Sequence, residues 1–427
     1  MVVGPPAQPP DLDLAVPGSK SITNRALIIA ALARGASRLE GILRSDDSYW
    51  CVEALRSLGV EIRIEDTTVA VYGCGGRWPR PSGRLYVGSA GTLARFLPGA
   101  LAAAAKGPWE LDGSQQLRGR PIAPLVTALR ELGADIAYLS TDGQLPILVR
   151  PGLDGGHVAV SGRVSSQFTS GILLAAPYAR RPVELAVIDQ LVQPEYVGLT
   201  IQMMQAFGAD VEPIDGFTRV QVRPRPYGGR TLTLEADAST ACYFLTAAAL
   251  TGGRVRITNV GYGSLQPDAR FVDVLERMGC SVRRGPSFLE VTGPARLAGG
   301  FTADMRAMSD QALTLGAAAV FADAPVRVSG VPHIRRHESD RIAVFVSQMR
   351  CLGIQVEEHD DGFTVHPGQP QPGAVIDPHD DHRQAMAFAL LGARVPGIRI
   401  GDPGCVSKTC PEYFQLLSRL GLSVVYR

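Results

Sequence analysis

The 427-residue chain lacks a long apolar run, an N-terminal targeting pattern and a surplus of charge of either sign. No stretch approaches the ~18 apolar residues that a membrane span needs. The opening "MVVGPPAQPPDLDL" has no basic segment leading into an apolar one. These features read as a cytoplasmic protein. Lys and Arg number 42 against 41 Asp and Glu, giving a net charge of +1, so the overall field favours neither nucleic acid nor an anionic membrane as partner. Any anion site must be local. The seven cysteines, Cys51, Cys74, Cys242, Cys280, Cys351, Cys405 and Cys410, are odd in number and never form a CxxC pair, as expected of reduced, buried thiols.

Three familiar chemistries are also missing their signatures. "PGSKS" (17–21) looks like the end of a phosphate-binding loop, but its Gly and Lys are not adjacent and no glycine precedes them at the spacing that loop requires. "HDDHR" (379–383) is rich in metal-ligand types, yet no helical ligand spacing such as HExxH accompanies it. No GxSxG elbow presents a serine nucleophile. Neither nucleotide chemistry, nor a metal centre, nor covalent hydrolysis is supported.

What the chain has is repetition. "LRSLGVEI" (55–62), "LRELGADI" (129–136), "MQAFGAD" (204–210), "LERMGCSV" (275–282), "MRCLGIQV" (349–356) and "LSRLGLSV" (417–424) each close a helix on a glycine and open a strand. Gly59, Gly133, Gly208, Gly279, Gly353 and Gly421 recur about every 70 residues, so six units fill the chain. Between them lies a second phrase: a polar cap, an Ala/Leu helix, a short turn and an alternating strand, as in "DASTACYFLTAAALTGGRVRITNV" (237–260). Helices so poor in charge must be covered by neighbours on every side. Strands such as "RVRITNV" (254–260) alternate apolar and polar residues, as sheets with one wet face do. With 45% apolar residues there is enough to fill such a core. The expected fold is α/β, with buried parallel helices, outer sheets and three units to each of two domains.

All six buried helices open on a hydrogen-bonding or charged cluster, where unpaired N–H groups and the helix dipole favour an anion. In "VPGSKSITNRALIIAALA" (16–33), Lys20, Ser21 and Arg25 crowd the first turn. Serines, threonines and aspartates there are commonly plain caps, and capping alone accounts as well for "DAST" (237–240) and "SAGT" (89–92). Cations are different. Lys20, Arg25, Arg95 and Arg383 oppose the dipole and call for a compensating anion. Arg118 and Arg120, His337 and Arg341, and Lys408 fall where turns return to the same helix ends. Several Arg forks and Lys charges together suit substrates with more than one phosphate or carboxylate. Asp310 and Glu338 then supply acid/base groups tuned by those cations.

The ordered motifs "PGSKSITNR", "AGTLAR", "RGRPIAPL", "SSQF", "LVQPEYVGLT", "DAST", "SDQALT", "HESDR", "DHRQAMA" and "KTCPEYF" closely resemble those of the 5-enolpyruvylshikimate-3-phosphate (EPSP) synthases, the 3-phosphoshikimate 1-carboxyvinyltransferases. The likeness runs through essentially the whole chain. It implies two inside-out domains, each of three βαβαββ repeats, residues 17–234 forming one and residues 1–16 with 235–427 the other, with the active site in the cleft between them. It further implies transfer of the enolpyruvyl group of phosphoenolpyruvate to the 5-hydroxyl of shikimate 3-phosphate, on the route to chorismate and aromatic amino acids, with no cofactor and no metal. The family's default is a monomer whose only partners are these two substrates.

By the same resemblance, Lys20, Gly91, Arg120, Gln167, Arg341, Arg383 and Lys408 hold phosphoenolpyruvate. Ser21, Arg25, Ser165, Ser166, Gln167, Gln193, Tyr196, Asp310, His333 and His337 hold shikimate 3-phosphate. Asp310 is the implied base, Glu338 the implied acid at the methylene carbon, Lys20 shares the proton traffic, and His382 completes the catalytic set. Four positions depart from the commonest family pattern. Gln193 stands for Ser, His337 for Lys, and His333 and Ser89 each for Asn. An enolpyruvyl transferase using the same donor with another cyclic alcohol is the alternative that these departures leave open.

Overall fold

In the computed structural model, which describes residues 1–371 and 373–426, the six landmark glycines all lie in the left-handed region, at φ 93° (Gly59), 95° (Gly133), 86° (Gly208), 92° (Gly279), 77° (Gly353) and 87° (Gly421). A side chain is strained there, so glycine ends each helix and lets the chain reverse into a strand. After the first five of these glycines the strand that follows pairs antiparallel with the next one, as Glu61–Glu65 does with Thr68–Cys74 and Val356–His359 with Gly362–Val365, whereas Ser423–Val425, after Gly421, pairs antiparallel with Val2–Gly4.

The chain divides into two compact units, residues 18–234 and residues 1–17 with 235–427. Each contains three four-stranded sheets with one common plan, two parallel strands followed by two antiparallel pairings. In the 18–234 unit, Gly156–Val160 runs parallel to Val183–Val187, which pairs with Arg219–Arg223 and through it with Asp210–Ile214. Gly83–Tyr86, Trp109–Asp112, Ile147–Arg150 and Asp135–Tyr138 repeat that order. In the remaining sheet of the unit the first strand, Thr231–Thr233, comes from the far end of the segment to lie beside Arg34–Glu40.

The other unit borrows in the same way from the start of the chain. Asp11–Leu14 lies parallel to Arg254–Ile257, and Val2–Gly4 is inserted between Ile398–Ile400 and Ser423–Val425. The chain leaves this unit after Pro17, whose carbonyl accepts from the Asp237 N–H at 2.8 Å. Gln266 fastens the returning segment, its amide donating to the Ala236 carbonyl at 2.7 Å and accepting from the Ala238 N–H at 3.1 Å.

Six helices occupy the interiors. We label them α1 (Lys20–Leu32), α2 (Gly91–Ala102), α3 (Ser166–Ala175), α4 (Ala238–Thr251), α5 (Ala312–Ala319) and α6 (His382–Ala389). Every residue of α2, α5 and α6 is buried, as are all of α4 but Thr251 and all of α3 but Gln167. In α1 only Lys20 and Ser21 escape burial. Helices covered all round are what their Ala/Leu composition demands. Helices α2 and α3 cross closely, since a Cβ on Gly171 would lie 2.1 Å from the Arg95 carbonyl and one on Gly99 2.6 Å from the Gly171 carbonyl. Among the described residues, no helix is long and apolar enough to cross a membrane.

Candidate active site

In the 18–234 unit, helix starts converge on Arg25, which is only 2% exposed. Its Nε donates to Thr200 Oγ1 at 2.7 Å, Nη1 to the Ser21 carbonyl at 2.9 Å, and Nη2 to Ser170 Oγ at 3.3 Å and the Tyr196 carbonyl at 3.2 Å. The guanidinium lies 4.9 Å over the Phe96 ring. Burial pulls its pKa down to about 10, with Tyr196 opposing, so Arg25 stays charged at neutral pH. Arg95 is held similarly, by the carbonyls of Gly91 at 3.1 Å and Pro121 at 3.2 Å. Backbone and hydroxyl dipoles thus supply the compensation expected from an anion at these two cations. Lys20 instead faces Asp47, with 3.9 Å between Nζ and Oδ2.

Arg120 lies against Gly91, and a Cβ there would come within 2.7 Å of Arg120 Nη1, so any other residue would displace that guanidinium tip. The Ser165 hydroxyl caps α3 by accepting from the Gln167 N–H at 3.2 Å, which leaves Ser166 and Gln167 in the first turn. Gln193 precedes the helix Pro194–Ala206 at φ 51°, a left-handed conformation uncommon for a residue with a side chain. Tyr196 lies in the first turn of that helix. Arg118 makes a two-pronged pair with Asp112, at 2.8 and 2.5 Å, that fastens its own turn.

The other unit builds an array of alternating charge. Arg341, at the start of the helix Arg341–Cys351, donates through Nη1 to Asp310 Oδ1 at 2.9 Å and to His337 Nδ1 at 3.1 Å. Its Nη2 reaches Glu338 Oε2 at 2.8 Å and Asp381 Oδ1 at 3.3 Å, and its Nε reaches Asp381 Oδ2 at 2.8 Å. All five N–H donors are engaged. Lys408 Nζ lies 3.1 Å from the second oxygen of Glu338. The second oxygen of Asp310 accepts from Arg383 Nη2 at 2.8 Å. Arg383 also donates to the Tyr243 hydroxyl at 3.2 Å, while its buried Nε has no partner.

Burial opposes charge on Arg341, but Asp381, Glu338 and Asp310 outweigh it and hold the guanidinium protonated more firmly than usual. Arg383 is likewise held by Asp310 against its burial. The two histidines nearby are neutral. Burial pushes the His333 pKa down to about 4, with Asp310 opposing and Arg341 adding to the fall, and its Nε2 lies 2.9 Å from Ser309 Oγ. Burial and then Arg341 push His337 well below the ordinary range. Because Arg341 donates to Nδ1 of His337, the ring proton sits on Nε2. His382 is 1% exposed, its Nδ1 3.8 Å from Asp381 Oδ1.

Asp47, Tyr243 and Asp381 are absent from the candidates read from the sequence. Asp47 and Asp381 share a signal all the same, for each is the second residue of an Asp pair at a helix start, and each is buried (2% and 0% exposed). Asp381 also closes α6, accepting from the Arg383 N–H at 2.9 Å. In "HDDHR" this carboxylate is therefore directed to Arg341 and the helix end. Among the described residues no group of three or more His, Cys, Asp or Glu is placed to hold a metal ion.

The family model described as EPSP synthase (3-phosphoshikimate 1-carboxyvinyltransferase) matches residues 8–417. The chain belongs to the EPSP synthase family. Relatives bearing that activity as their name match over nearly the whole chain. The 3-phosphoshikimate 1-carboxyvinyltransferase 2 of Halalkalibacterium halodurans is 53% identical over 98% of this chain and 93% of its own length. The 3-phosphoshikimate 1-carboxyvinyltransferase of Trichormus variabilis is 42% identical over 95% and 96%. A solved EPSP synthase from Acinetobacter baumannii superposes with a TM-score of 0.83 at 26% identity, covering all of this chain and 99% of the other. The α/β architecture expected from the repeats, and from the family resemblance, is thus the architecture found.

Proposed function

We propose that the chain transfers the enolpyruvyl group of phosphoenolpyruvate to the 5-hydroxyl of shikimate 3-phosphate, releasing phosphate, and that the array from Lys408 through Arg341 to Arg383 receives the donor's charge. The observation that carries the assignment to this array is the contrast between its two arginines. Arg341 has every N–H engaged, whereas the fully buried Arg383 keeps an Nε without a partner. Arg383 is the one of the two that protein groups leave incompletely engaged and so the better suited to take an anion, and Arg341 is the strut that holds Asp310, Glu338 and Asp381. Lys20, Gly91, Arg120 and Gln167 complete the donor set. Ser21, Arg25, Ser165, Ser166, Gln193, Tyr196, His333 and His337 serve the acceptor.

In the addition step Asp310 takes the proton of the 5-hydroxyl, the new C–O bond forms at C2 of the donor, and Glu338 delivers a proton to C3. Elimination reverses the C3 protonation and breaks the bond from C2 to the phosphate oxygen. Asp310 suits the first role because it lies between two guanidinium groups that keep it a carboxylate. Glu338 lies between Lys408 and Arg341. The donor's anionic groups compete for these cations, and a Glu338 released from them can carry the proton. His382 supports the donor side, and Lys20 shares in the proton movement. The neutral His337 offers the acceptor phosphate an N–H without a charge. We place the protein in the cytoplasm as a monomer with these two small molecules as its partners.

Phosphate release from phosphoenolpyruvate is the deciding measurement, with shikimate 3-phosphate, unphosphorylated shikimate or no acceptor. Release confined to the phosphorylated acceptor is expected. Donor binding without release would move the assignment to another cyclic alcohol.

A further inference from the structure

Gln311, next to Asp310 in the chain, is fully buried, and its amide reaches a carboxyl that the roles above leave unused. This is Asp268, 1% exposed, in the turn Pro267–Arg270. Gln311 Nε2 donates to Asp268 Oδ1 at 2.9 Å and to the Ser239 carbonyl at 3.3 Å, while its Oε1 accepts from the Thr314 hydroxyl at 3.0 Å. The turn Ser309–Gln311, which carries Asp310, is thereby tied to Asp268 at one side and to Arg341 and Arg383 at the other.

The charged and titratable groups facing Asp268 come from three elements. They are Asp310 in the turn, Arg383 on α6, and Asp237 and Cys242 at the start of α4, with Tyr243 bonded to Arg383. Asp273, in the helix following Asp268, is directed instead to Arg284 and Tyr262. Burial and then Asp310 push the Asp268 pKa up to about 6, Arg383 and the Gln311 bond pull it back, and Asp237 adds to the rise. A carboxyl closed off from solvent thus has its proton affinity raised toward neutrality while it feels the charge of Asp310 and of the Arg383 that Asp310 binds.

We propose that Asp268 is a positioning residue for the transfer: through Gln311 it fixes the turn that presents Asp310, and by its charge it sets how strongly Asp310 draws the acceptor's proton. The inference rests on Asp310 acting as the base. With Asp268 ionised, two like charges face Arg383, and a proton arriving on Asp310 relieves their repulsion. With Asp268 protonated that push is lost. Turnover therefore climbs as pH rises through about 6, the range in which Asp268 loses its proton.

The test compares pH profiles of kcat for the full-length protein and Asp268→Asn, in which the amide oxygen still accepts from Gln311. The expected result is a kcat at pH 8 lowered by about tenfold, the change that one pKa unit of lost interaction produces, with KM for both substrates little changed and the rise through pH 6 absent. A parent-like kcat and rise in Asp268→Asn would overturn the proposal. Gln311→Met provides a second reading should Asp268→Asn fail to fold. It removes a bond that lowers the proton affinity of Asp268, so the rise should move to higher pH, and an unmoved rise overturns the proposal. Asp310→Asn separates the two layers. Turnover retained in that variant removes the base itself and the positioning role with it, whereas loss there beside a parent-like Asp268→Asn removes only the positioning role.

Discussion

A cation at the start of a buried helix is unfavourable by itself, and the chain resolves that problem differently at each one. Arg383 and Lys20 face carboxylates from elsewhere in the fold, whereas Arg25 and Arg95 are surrounded by hydroxyl and carbonyl oxygens. The sequence shows that such residues need partners but not which partners. Asp381 reaches Arg341 across 40 residues, and Gln311 reaches Asp268 across 43, separations set by the packing of helices rather than by any local spacing. His333 gives a residue-scale prediction. The folded protein keeps it neutral down to about pH 4, while an unfolded chain takes up its proton near 6.5. The unfolded state therefore binds more protons between those values, and stability is lost as pH falls through them, by on the order of 3 kcal/mol from this group. His333→Gln should lose less stability than the parent between pH 7 and pH 4.5, as read from urea midpoints. Equal losses would mean that His333 is not held neutral.

The elements were more legible than the pairings, and the reason lies in which features are local. A helix that ends on glycine must reverse there, because the left-handed φ at Gly133 or Gly279 is open to few other residues. An uncharged helix such as 238–250 must be covered, wherever its neighbours come from. Close crossings are less visible, since Gly99 and Gly171 look like any small residues in an Ala-rich segment. Only the packed structure shows them face to face. Gly171→Ala sets a methyl 2.1 Å from the Arg95 carbonyl, and backbone cannot yield as a side-chain tip does. Unfolding by urea should show a loss of at least ~3 kcal/mol, the upper part of the range for overpacked cores. Gly263→Ala, where an added Cβ meets nothing within 4 Å, should stay within about 0.5 kcal/mol of the parent. If both variants behave alike, the α2–α3 contact is looser than described.

For the molecule as a whole, the decisive fact is which strands each unit must borrow. All strands of the three sheets in 18–234 come from within that segment, even Thr231–Thr233, which closes the sheet of Arg34–Glu40 from its far end. The other unit takes two strands, Val2–Gly4 and Asp11–Leu14, from the opposite end of the chain. A fragment of residues 18–234 should accordingly give a cooperative urea transition alone. A fragment of residues 235–427 should not do so, having two sheets with a missing strand and exposed backbone donors and acceptors. A cooperative transition in the second fragment would show that the borrowed strands are dispensable.

The insertion of Val2–Gly4 between Ile398–Ile400 and Ser423–Val425 has a consequence for the order of events on the ribosome. Residues 2–4 are made about 400 residues before the strands they pair with. At roughly 5–20 residues per second, they wait on the order of ten to forty seconds after residue 234 is polymerised before their partners exist. During that interval the middle of the protein can already be folded while both of its flanks are still unfinished. Synthesis thus closes a loop, with Ile398–Ile400 and Ser423–Val425 completing a sheet that Val2–Gly4 began.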